Sequence, residues 1–235
     1  MNTTELRGFL TGLILGDGSI DAGVTKRAFA IKSIDKYFID MIKSEIDSVC
    51  GFSSYIKFTK QHFSCGCNHK NSWEFRIRSH PYFAKLYHHF YDDYRKRRIT
   101  KEAINWLTPY GLANWYMSDG YICLVGKTKG VIRDRRVDIC TDRYNIDSIK
   151  TMQDFLFDRF YIRTSTIKRN NTYRIRISKQ SYQTFFDIIN PYIIDSMKYK
   201  LYFAYDSQPI WMSNEMWEYQ ERFKSAIAQT GKAVG

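Results

Sequence analysis

The sequence carries the same order of signals twice, about one hundred residues apart. Each half begins with a helical stretch rich in small residues that ends in Asp-Gly, at Asp17 and at Asp119, which are 102 positions apart. A strand, an amphipathic helix, two more strands and a last helix are predicted after each stretch. The last strands read Phe-Arg-Ile-Arg-Ser and Tyr-Arg-Ile-Arg-Ile-Ser, ending at Ser79 and Ser178. A repeat of this length exceeds a solenoid unit, so we predict two tandem α+β subdomains.

The repeat also sets the expected domain boundaries. We predict a first subdomain over residues 1–95, a connecting segment over 96–108, a second subdomain over 109–203 and an accessory segment over 204–235. Apolar residues at helical spacing predict one buried helix face in each half: Ile34, Phe38, Ile42 and Ile46, then Ile149, Met152, Leu156 and Phe160.

The late strands separate apolar from basic side chains, because successive residues of a strand point to opposite faces. The helices are expected to cover the apolar face, which leaves an open basic face on each sheet. Lys and Arg number 36 against 24 Asp and Glu, a formal net charge of +12, and such a surplus favours a polyphosphate partner. A ribbon of strands fits the DNA major groove, so we expect double-stranded DNA on this face. The predicted DNA-binding residues are Lys32, Lys57, Arg76, Arg78, Lys168, Arg174 and Arg176.

A stripe of glycines predicts how the two helical stretches meet. Gly8, Gly12 and Gly16 fall on one helix face, where each costs about 1 kcal/mol relative to alanine unless another backbone packs against it. Close packing of the second stretch would set Asp17 beside Asp119. Carboxylates are disfavoured at helix C-termini and repel each other, and a divalent cation removes both penalties. Mg²⁺ binds through carboxylates, water and phosphate oxygens, which predicts metal-assisted phosphodiester hydrolysis.

The cysteines and the N-terminal residues indicate in which cellular compartment the protein is expected. Five cysteines, an odd number, and a polar start without a secretory signal predict reduced thiols in an intracellular protein, in a bacterial or phage cytoplasm or an organelle matrix. No apolar run reaches the length of a membrane span. A cluster of metal-ligand types is either a zinc site or the polar tip of a hairpin, and its Cys-x-Cys spacing favours the hairpin. Its members are His62, Cys65, Cys67 and His69.

Both Asp-Gly stretches resemble a known family signature. Residues 10–18 match LAGLIDADG at six of nine places, and residues 112–120 match it at four of nine. The second match is preceded by Leu-Thr-Pro starting at Leu107, as in the second motif of single-chain members. The chain therefore resembles a monomeric, two-motif LAGLIDADG homing endonuclease, from about Leu6 to about Leu201.

The resemblance implies a fold and an activity. Such proteins have two αββαββα subdomains related by a pseudo-two-fold axis, whose antiparallel sheets form a basic DNA-binding saddle. They are intron-encoded nucleases that cut a long, asymmetric double-stranded DNA site across the minor groove and leave 3′ overhangs. Mg²⁺ is the implied cofactor, with Mn²⁺ as a substitute and Ca²⁺ supporting binding without cleavage.

The resemblance also implies the site residues. Asp17 and Asp119 would hold the cations with the neighbouring carbonyls of Gly16 and Ser118, and Lys200 would be a catalytic cation of the second half. Its counterpart in the first half falls in Arg-Lys-Arg-Arg starting at Arg95, where two registers compete. We predict Lys96, with Arg97 as the alternative. Water-orienting positions map onto Ser33 and Thr141.

Two other functions compete with the nuclease. An RNA maturase that helps a host intron fold would use the same architecture, would bind intron RNA and would tolerate loss of either aspartate. A DNA-binding regulator without cleavage is disfavoured because Asp17, Asp119 and Lys200 are all present.

Overall fold

The computed structural model describes residues 1–21, 23, 25–49, 51–60, 71–128 and 131–201, and it describes side chains in these ranges except at positions 124–128 and 131–135. The cluster of His62, Cys65, Cys67 and His69 and the accessory segment therefore lie outside the described residues. Among the described residues, no helix combines the length and the apolar character that crossing a bilayer requires.

Each half contains the same succession of helices and strands. The first half consists of α1 Thr3–Leu15, β1 Ser19–Ile20, β2 Arg27–Ser33, α2 Lys36–Asp47, β3 Ser54–Thr59, β4 Ser72–His80 and α3 Pro81–Phe90. A short helix, α4, spans Lys101–Ile104 in the connection. The second half consists of α5 Pro109–Asp119, β5 Gly120–Thr128, β6 Val131–Ile139, α6 Ile146–Phe160, β7 Thr164–Arg169, β8 Thr172–Ile177 and α7 Tyr182–Ile189. A 3-10 segment, Asp195–Lys200, follows α7.

The two four-stranded sheets are antiparallel and have the same topology. Their strand orders are β1-β2-β4-β3 and β5-β6-β8-β7, so the first strand of each half lies at one edge and the third at the other. The predicted α+β class and the αββαββα succession in each half are confirmed. Sequence patterns alone missed β1, which starts four residues after the end of α1, and β5, which follows α5 directly.

The helices α2 and α6 cover one face of their sheets with the predicted apolar stripes. Seven of the eight stripe residues are buried, and the exception is Ile34, which is 63% exposed. Asp35 explains this difference, because its side chain accepts a hydrogen bond from the Phe38 amide and so starts α2 at Lys36. Ile34 thus precedes the helix and is not part of its buried face.

The glycine stripe of α1 packs directly on α5, as predicted. A Cβ atom on Gly12 would overlap the Gly111 carbonyl group, with only 2.5 Å to its carbon and 2.7 Å to the Gly111 Cα. A Cβ on Gly16 would lie 2.5 Å from the Cβ of Ser118. Leu10, Leu13 and the other apolar residues of α1 are buried on its remaining sides. The core therefore runs through both halves, and the two helices end side by side.

Candidate active site

The paired ends of α1 and α5 carry the two predicted aspartates. Asp17 follows α1 on an exposed turn, and Asp119 is the last residue of α5 and is partly buried. Burial, and then the negative charge of Asp17, raise the pKa of Asp119 to about 7. The helix packing thus brings the two carboxylates into electrostatic contact.

An arginine of the connection caps the end of α1. Arg97 is buried, and its guanidinium donates hydrogen bonds to the carbonyl oxygens of Ile14, of Gly16 at 3.3 Å and of Gly18 at 2.5 Å. These carbonyls carry the negative end of the helix dipole, so a cation at this position is stabilising. Arg97 therefore offsets the helix dipole beside Asp17.

Lys200 has the same relation to the end of α5. Its ammonium group donates to the carbonyl oxygens of Met117, of Gly120 at 3.0 Å and of Ser118 at 3.5 Å. Burial lowers the pKa of Lys200 to about 8, although the charges of Asp119 and Asp17 act in the opposite direction. Lys200 is thus held between the helix end and the two aspartates, where the resemblance implied a catalytic cation.

The structure places Arg97, and not Lys96, at the end of α1. Lys96 lies on an exposed turn, where its backbone amide donates to the carboxylate of Asp92 at 2.8 Å. The turn places Arg95 at a positive φ of 63°, which directs the chain back so that Arg97, and not Lys96, reaches the helix ends. Arg97 occupies the position in the first half that Lys200 occupies in the second.

A small cavity lies beside Asp119. Its volume is about 160 Å³, and its walls are the end of α1 and the turn after β6, which contributes Cys140, Thr141, Arg143 and Tyr144. The positive charge of exposed Arg143 acts on Asp119 and opposes the rise in its pKa. A larger open cavity of about 950 Å³, between α4, α6 and β7, contains none of the predicted site residues.

Sequence reasoning missed the turn after β6. The hydroxyl of Tyr144 lies 3.3 Å from the carbonyl oxygens of Ile14 and Leu15, so a side chain of the second half caps the helix of the first half. A cross-half contact of this kind leaves no periodic signal. The cue in the sequence was length, because six residues, 140–145, separate the last strand residue from the helix, whereas two residues, 34–35, do so in the first half.

The two hydroxyl groups that were predicted to orient water form hydrogen bonds within the protein. Ser33 Oγ accepts from the Asp35 amide at 3.1 Å, and Thr141 Oγ1 donates to the Tyr173 carbonyl oxygen at 2.7 Å. Thr141 also lines the cavity beside Asp119, whereas Ser33 belongs to the turn that starts α2.

The donors at the helix ends fit a hard divalent cation. Within the described ranges, no group of three or more His, Cys, Asp or Glu side chains could enclose a metal ion. Two carboxylates and the carbonyls of Gly16 and Ser118 provide up to four oxygen ligands, and water or phosphate would complete the octahedral coordination of a cation there. This is the donor set that Mg²⁺ prefers, because it keeps several waters and dehydrates reluctantly.

Strand pairing decides which predicted DNA-binding residues share an open sheet face. In the first sheet Lys32 and Lys57 both pair with Glu74 across neighbouring strands, which sets them on the face of Arg76, Arg78 and Glu74. Phe75 and Ile77 point to the opposite, buried face.

In the second sheet the pairing corrects one prediction. Arg174 and Arg176 lie on the open face, opposite the buried Ile175 and Ile177. Lys168 pairs with Tyr173, and paired residues share a face, so Lys168 lies on the same side as the buried isoleucines. Its neighbour Arg169 is on the open face instead. A difference of one residue in the strand register is enough to move a side chain to the opposite face.

The raised pKa of Asp119 predicts a pH-dependent stability of the metal-free protein. The stability contributed by the protonated carboxyl is fully present below the unfolded pKa of 3.8 and is lost as the pH rises through about 7. Urea unfolding in EDTA is expected to show the wild type losing roughly 2 to 3 kcal/mol between pH 5 and pH 7.5 relative to Asp119→Asn. Parallel pH profiles for the two proteins would contradict the buried, charge-coupled position of Asp119.

Comparison with known proteins identifies relatives over most of the chain. A sequence model of the LAGLIDADG DNA endonuclease family matches residues 7–185. A probable intron-encoded endonuclease of Wickerhamomyces canadensis is 26% identical over 196 residues, which are 83% of this chain and 82% of that protein. The DNA endonuclease I-ChuI of Chlamydomonas applanata is 23% identical over 215 residues, 85% of this chain and 95% of that protein.

A solved structure and a maturase extend the comparison. The homing endonuclease I-WcaI bound to its DNA recognition sequence superposes with a TM-score of 0.71 at 24% identity, covering 85% of this chain and 86% of the other, and supports the fold. The cytochrome b mRNA maturase bI2 of Saccharomyces cerevisiae is 32% identical over 106 residues, 44% of this chain and 23% of that protein.

Proposed function

Because the chain belongs to the LAGLIDADG DNA endonuclease family, we propose that it is a site-specific homing endonuclease acting on double-stranded DNA. It cleaves a long, asymmetric target by divalent-metal-dependent phosphodiester hydrolysis, leaves 3′ overhangs, and acts as a monomer because both halves of a two-fold site are in one chain. Similarity to intron-encoded endonucleases supports an intron-encoded protein that acts inside a cell or organelle.

One observation carries the proposal: the two helices end in adjacent carboxylates, each beside a cation that donates to the helix-end carbonyls. Asp17 lies beside Arg97, and Asp119 lies beside Lys200. A purely structural helix pair has no need for two acids at the ends where the dipoles disfavour them. A centre that binds cations and a phosphodiester accounts for both the acids and their cationic neighbours.

The residues of this site have different roles in hydrolysis. Asp17 and Asp119, with the Gly16 and Ser118 carbonyls, would hold the divalent cation, Mg²⁺ or Mn²⁺. When bound, that ion supplies charge neutralisation at the phosphate and acidifies a bound water. Ca²⁺ is expected to support DNA binding without cleavage.

The cationic side chains act on protons and on phosphate charge. With a pKa of about 8, Lys200 can hold or release a proton at its ammonium nitrogen near neutral pH. Arg97 keeps its charge at any working pH and stabilises negative charge that develops on a phosphate oxygen. The turn after β6 lines the cavity next to Asp119.

Selection followed by cleavage tests the function directly. The wild-type protein is used in Ca²⁺ to select duplexes from a randomised library, and the selected duplex is then incubated with it in Mg²⁺, Mn²⁺, Ca²⁺ or EDTA. We expect a double-strand break at one position in Mg²⁺ and Mn²⁺ alone, with 3′ overhangs in end mapping. Cleavage in EDTA, or no selective binding of any duplex, would refute the proposal. Light scattering of the complex is expected to give one protein per duplex.

The different positions of Arg97 and Lys96 give a paired prediction. Arg97→Met should reduce the rate of DNA cleavage by about 10²-fold, because the fixed positive charge at the helix ends is lost. Lys96→Met should change it less than twofold, since that side chain lies on an exposed turn. Arg97→Lys should recover part of the activity, because Lys200 holds the equivalent helix end. Single-turnover cleavage rates measure all three, and equal losses for Lys96→Met and Arg97→Met would contradict the assignment.

The maturase relative supports a second candidate function, binding of host intron RNA. The sequence shared with the maturase covers 23% of that protein, so the RNA activity of the whole relative is at most a partial guide. Competition between the selected DNA duplex and the transcript of an intron that encodes the chain tests it. RNA binding that survives both Asp17→Asn and Asp119→Asn, together with accelerated splicing, would establish the maturase function beside or instead of cleavage.

A further inference from the structure

Two acidic side chains are buried on the open sheet faces, which the sequence predicts to be basic. Asp138 of β6 is 1% exposed, and Glu74 of β4 is 5% exposed. A buried carboxylate is costly unless it is paired and hydrogen-bonded. Both acids are paired with cations that were predicted to contact DNA.

In the second sheet, Asp138 is the centre of a hydrogen-bonded network. Arg176 donates from Nε and Nη2 to the two oxygens of Asp138 at 2.7 and 2.9 Å. The Tyr121 hydroxyl donates to Asp138 at 3.2 Å and accepts from Nη1 of Arg174 at 3.0 Å. The other edge of Arg174 is held by Asp142 at 2.8 and 2.5 Å. Both guanidinium planes are thereby fixed.

In the first sheet, Glu74 of β4 restrains Arg76, as Asp138 of β6 restrains Arg176 in the second sheet. Nε of Arg76 donates to one oxygen of Glu74 at 2.5 Å, and the ammonium group of Lys32 lies 3.4 Å from the other. Burial raises the pKa of Glu74, but the contacts with Arg76 and Lys32 outweigh it and hold that pKa below its usual value. Arg76 and Arg176 have matching places in the two sheets, opposite Ala30 and Asp138.

A surface that only attracted phosphates would not contain these acids. Each buried carboxylate cancels part of the positive charge on which non-specific DNA affinity depends. It does, however, restrict an arginine to one orientation, and bidentate reading of a base edge depends on orientation. Ala30, at the register of Asp138 in the other sheet, indicates that the strand pairing itself does not require an acid there.

We propose that Glu74 and Asp138 are positioning residues that set the base preference of the DNA half-site under their own sheet, by fixing Arg76 and Arg176 in one orientation. The inference rests on the proposed function in one respect, that the open faces contact duplex DNA. Each acid acts on the DNA through its arginine, because its own carboxylate is too buried to reach a base.

A base-substitution profile tests the assignment. Dissociation constants in Ca²⁺ at fixed salt are measured for the selected duplex and for duplexes that each carry one changed base pair. With Asp138→Asn, the discrimination at one or more positions of one half-site should fall at least fivefold, while the other half-site keeps its wild-type profile. Glu74→Gln should give the mirror result. Both variants should bind an unrelated duplex more tightly than the wild type, by two- to fivefold, because a negative charge is removed.

Three outcomes separate the possibilities. If the wild type binds all duplexes with the same dissociation constant, the proposed function itself is refuted. If the wild type discriminates but both variants keep its profile, or flatten both half-sites equally, the positioning role is overturned while the function stands. If Asp138→Asn does not fold, Glu74→Gln and Tyr121→Phe decide. Tyr121→Phe keeps the ring and removes the hydroxyl between Arg174 and Asp138, so it should relax the same half-site as Asp138→Asn, to a smaller extent.

Discussion

Replacing either helix-end aspartate by asparagine is expected to reduce DNA cleavage in Mg²⁺ by at least about 10³-fold, because the change removes a charged cation ligand worth several kcal/mol at the transition state. Asn keeps the size of Asp17 and of Asp119, so the packing of α1 on α5 should persist. Binding of the selected duplex in Ca²⁺-free buffer should stay within about threefold of the wild type, since neither aspartate lies on an open sheet face.

The two aspartates should differ in a second measurement. Asp119 is partly buried and carries the raised pKa, whereas Asp17 is exposed. Asp119→Asn should therefore raise the melting temperature in EDTA at pH 7.5, and Asp17→Asn should raise it less. A matched control is Asp40→Asn, which removes an exposed acid that pairs with Lys36 on α2. Loss of cleavage in this control, or cleavage surviving in either helix-end variant, would contradict the site.

The sequence predicted the parts of the fold that depend on local pattern. The stripe through Ile149, Met152 and Leu156 predicted a helix face that is buried throughout. The sequence did not predict β1, which has only two residues and pairs with β2. The hydroxyl of Tyr91, which is not part of the sheet, supports this pairing by accepting a hydrogen bond from the Ile20 amide at 3.1 Å. A strand of two residues is too short to show an alternation of apolar and polar residues.

For the candidate site, too, the sequence predicted what depends on local pattern and missed what depends on contacts between distant segments. Asp17 and Asp119 were predicted to lie together because they end matched helices, which is a feature of the sequence order. Arg97 was not chosen over Lys96, because a turn with a left-handed residue decided which side chain pointed inward. Tyr144 was missed because its partners on α1 are about 130 residues away. Where a contact depends on two distant segments, only the tertiary structure fixes it.

The close approach of α1 and α5 predicts the largest effect on stability. Gly12→Ala should lower the free energy of unfolding by at least about 3 kcal/mol, because the added methyl group meets the backbone of Gly111, which cannot rotate away. The effect is opposite in sign to the gain of about 1 kcal/mol that alanine brings to an unhindered helix position. Parting the helices would also separate Asp17 from Asp119, so cleavage should fall together with stability.

A second glycine of the same stripe supplies the control. At Gly16 the obstacle is the side chain of Ser118, which can be removed, whereas Gly111 has no side chain to remove. Gly16→Ala should therefore destabilise the protein, and the double variant Gly16→Ala with Ser118→Gly should recover most of the loss, apart from about 1 kcal/mol for the new helix glycine. Urea unfolding of the single and double variants measures the coupling. A Gly12→Ala protein as stable as the wild type would show that the two helix backbones are not in contact, and the adjacency of the two aspartates would lose its structural basis.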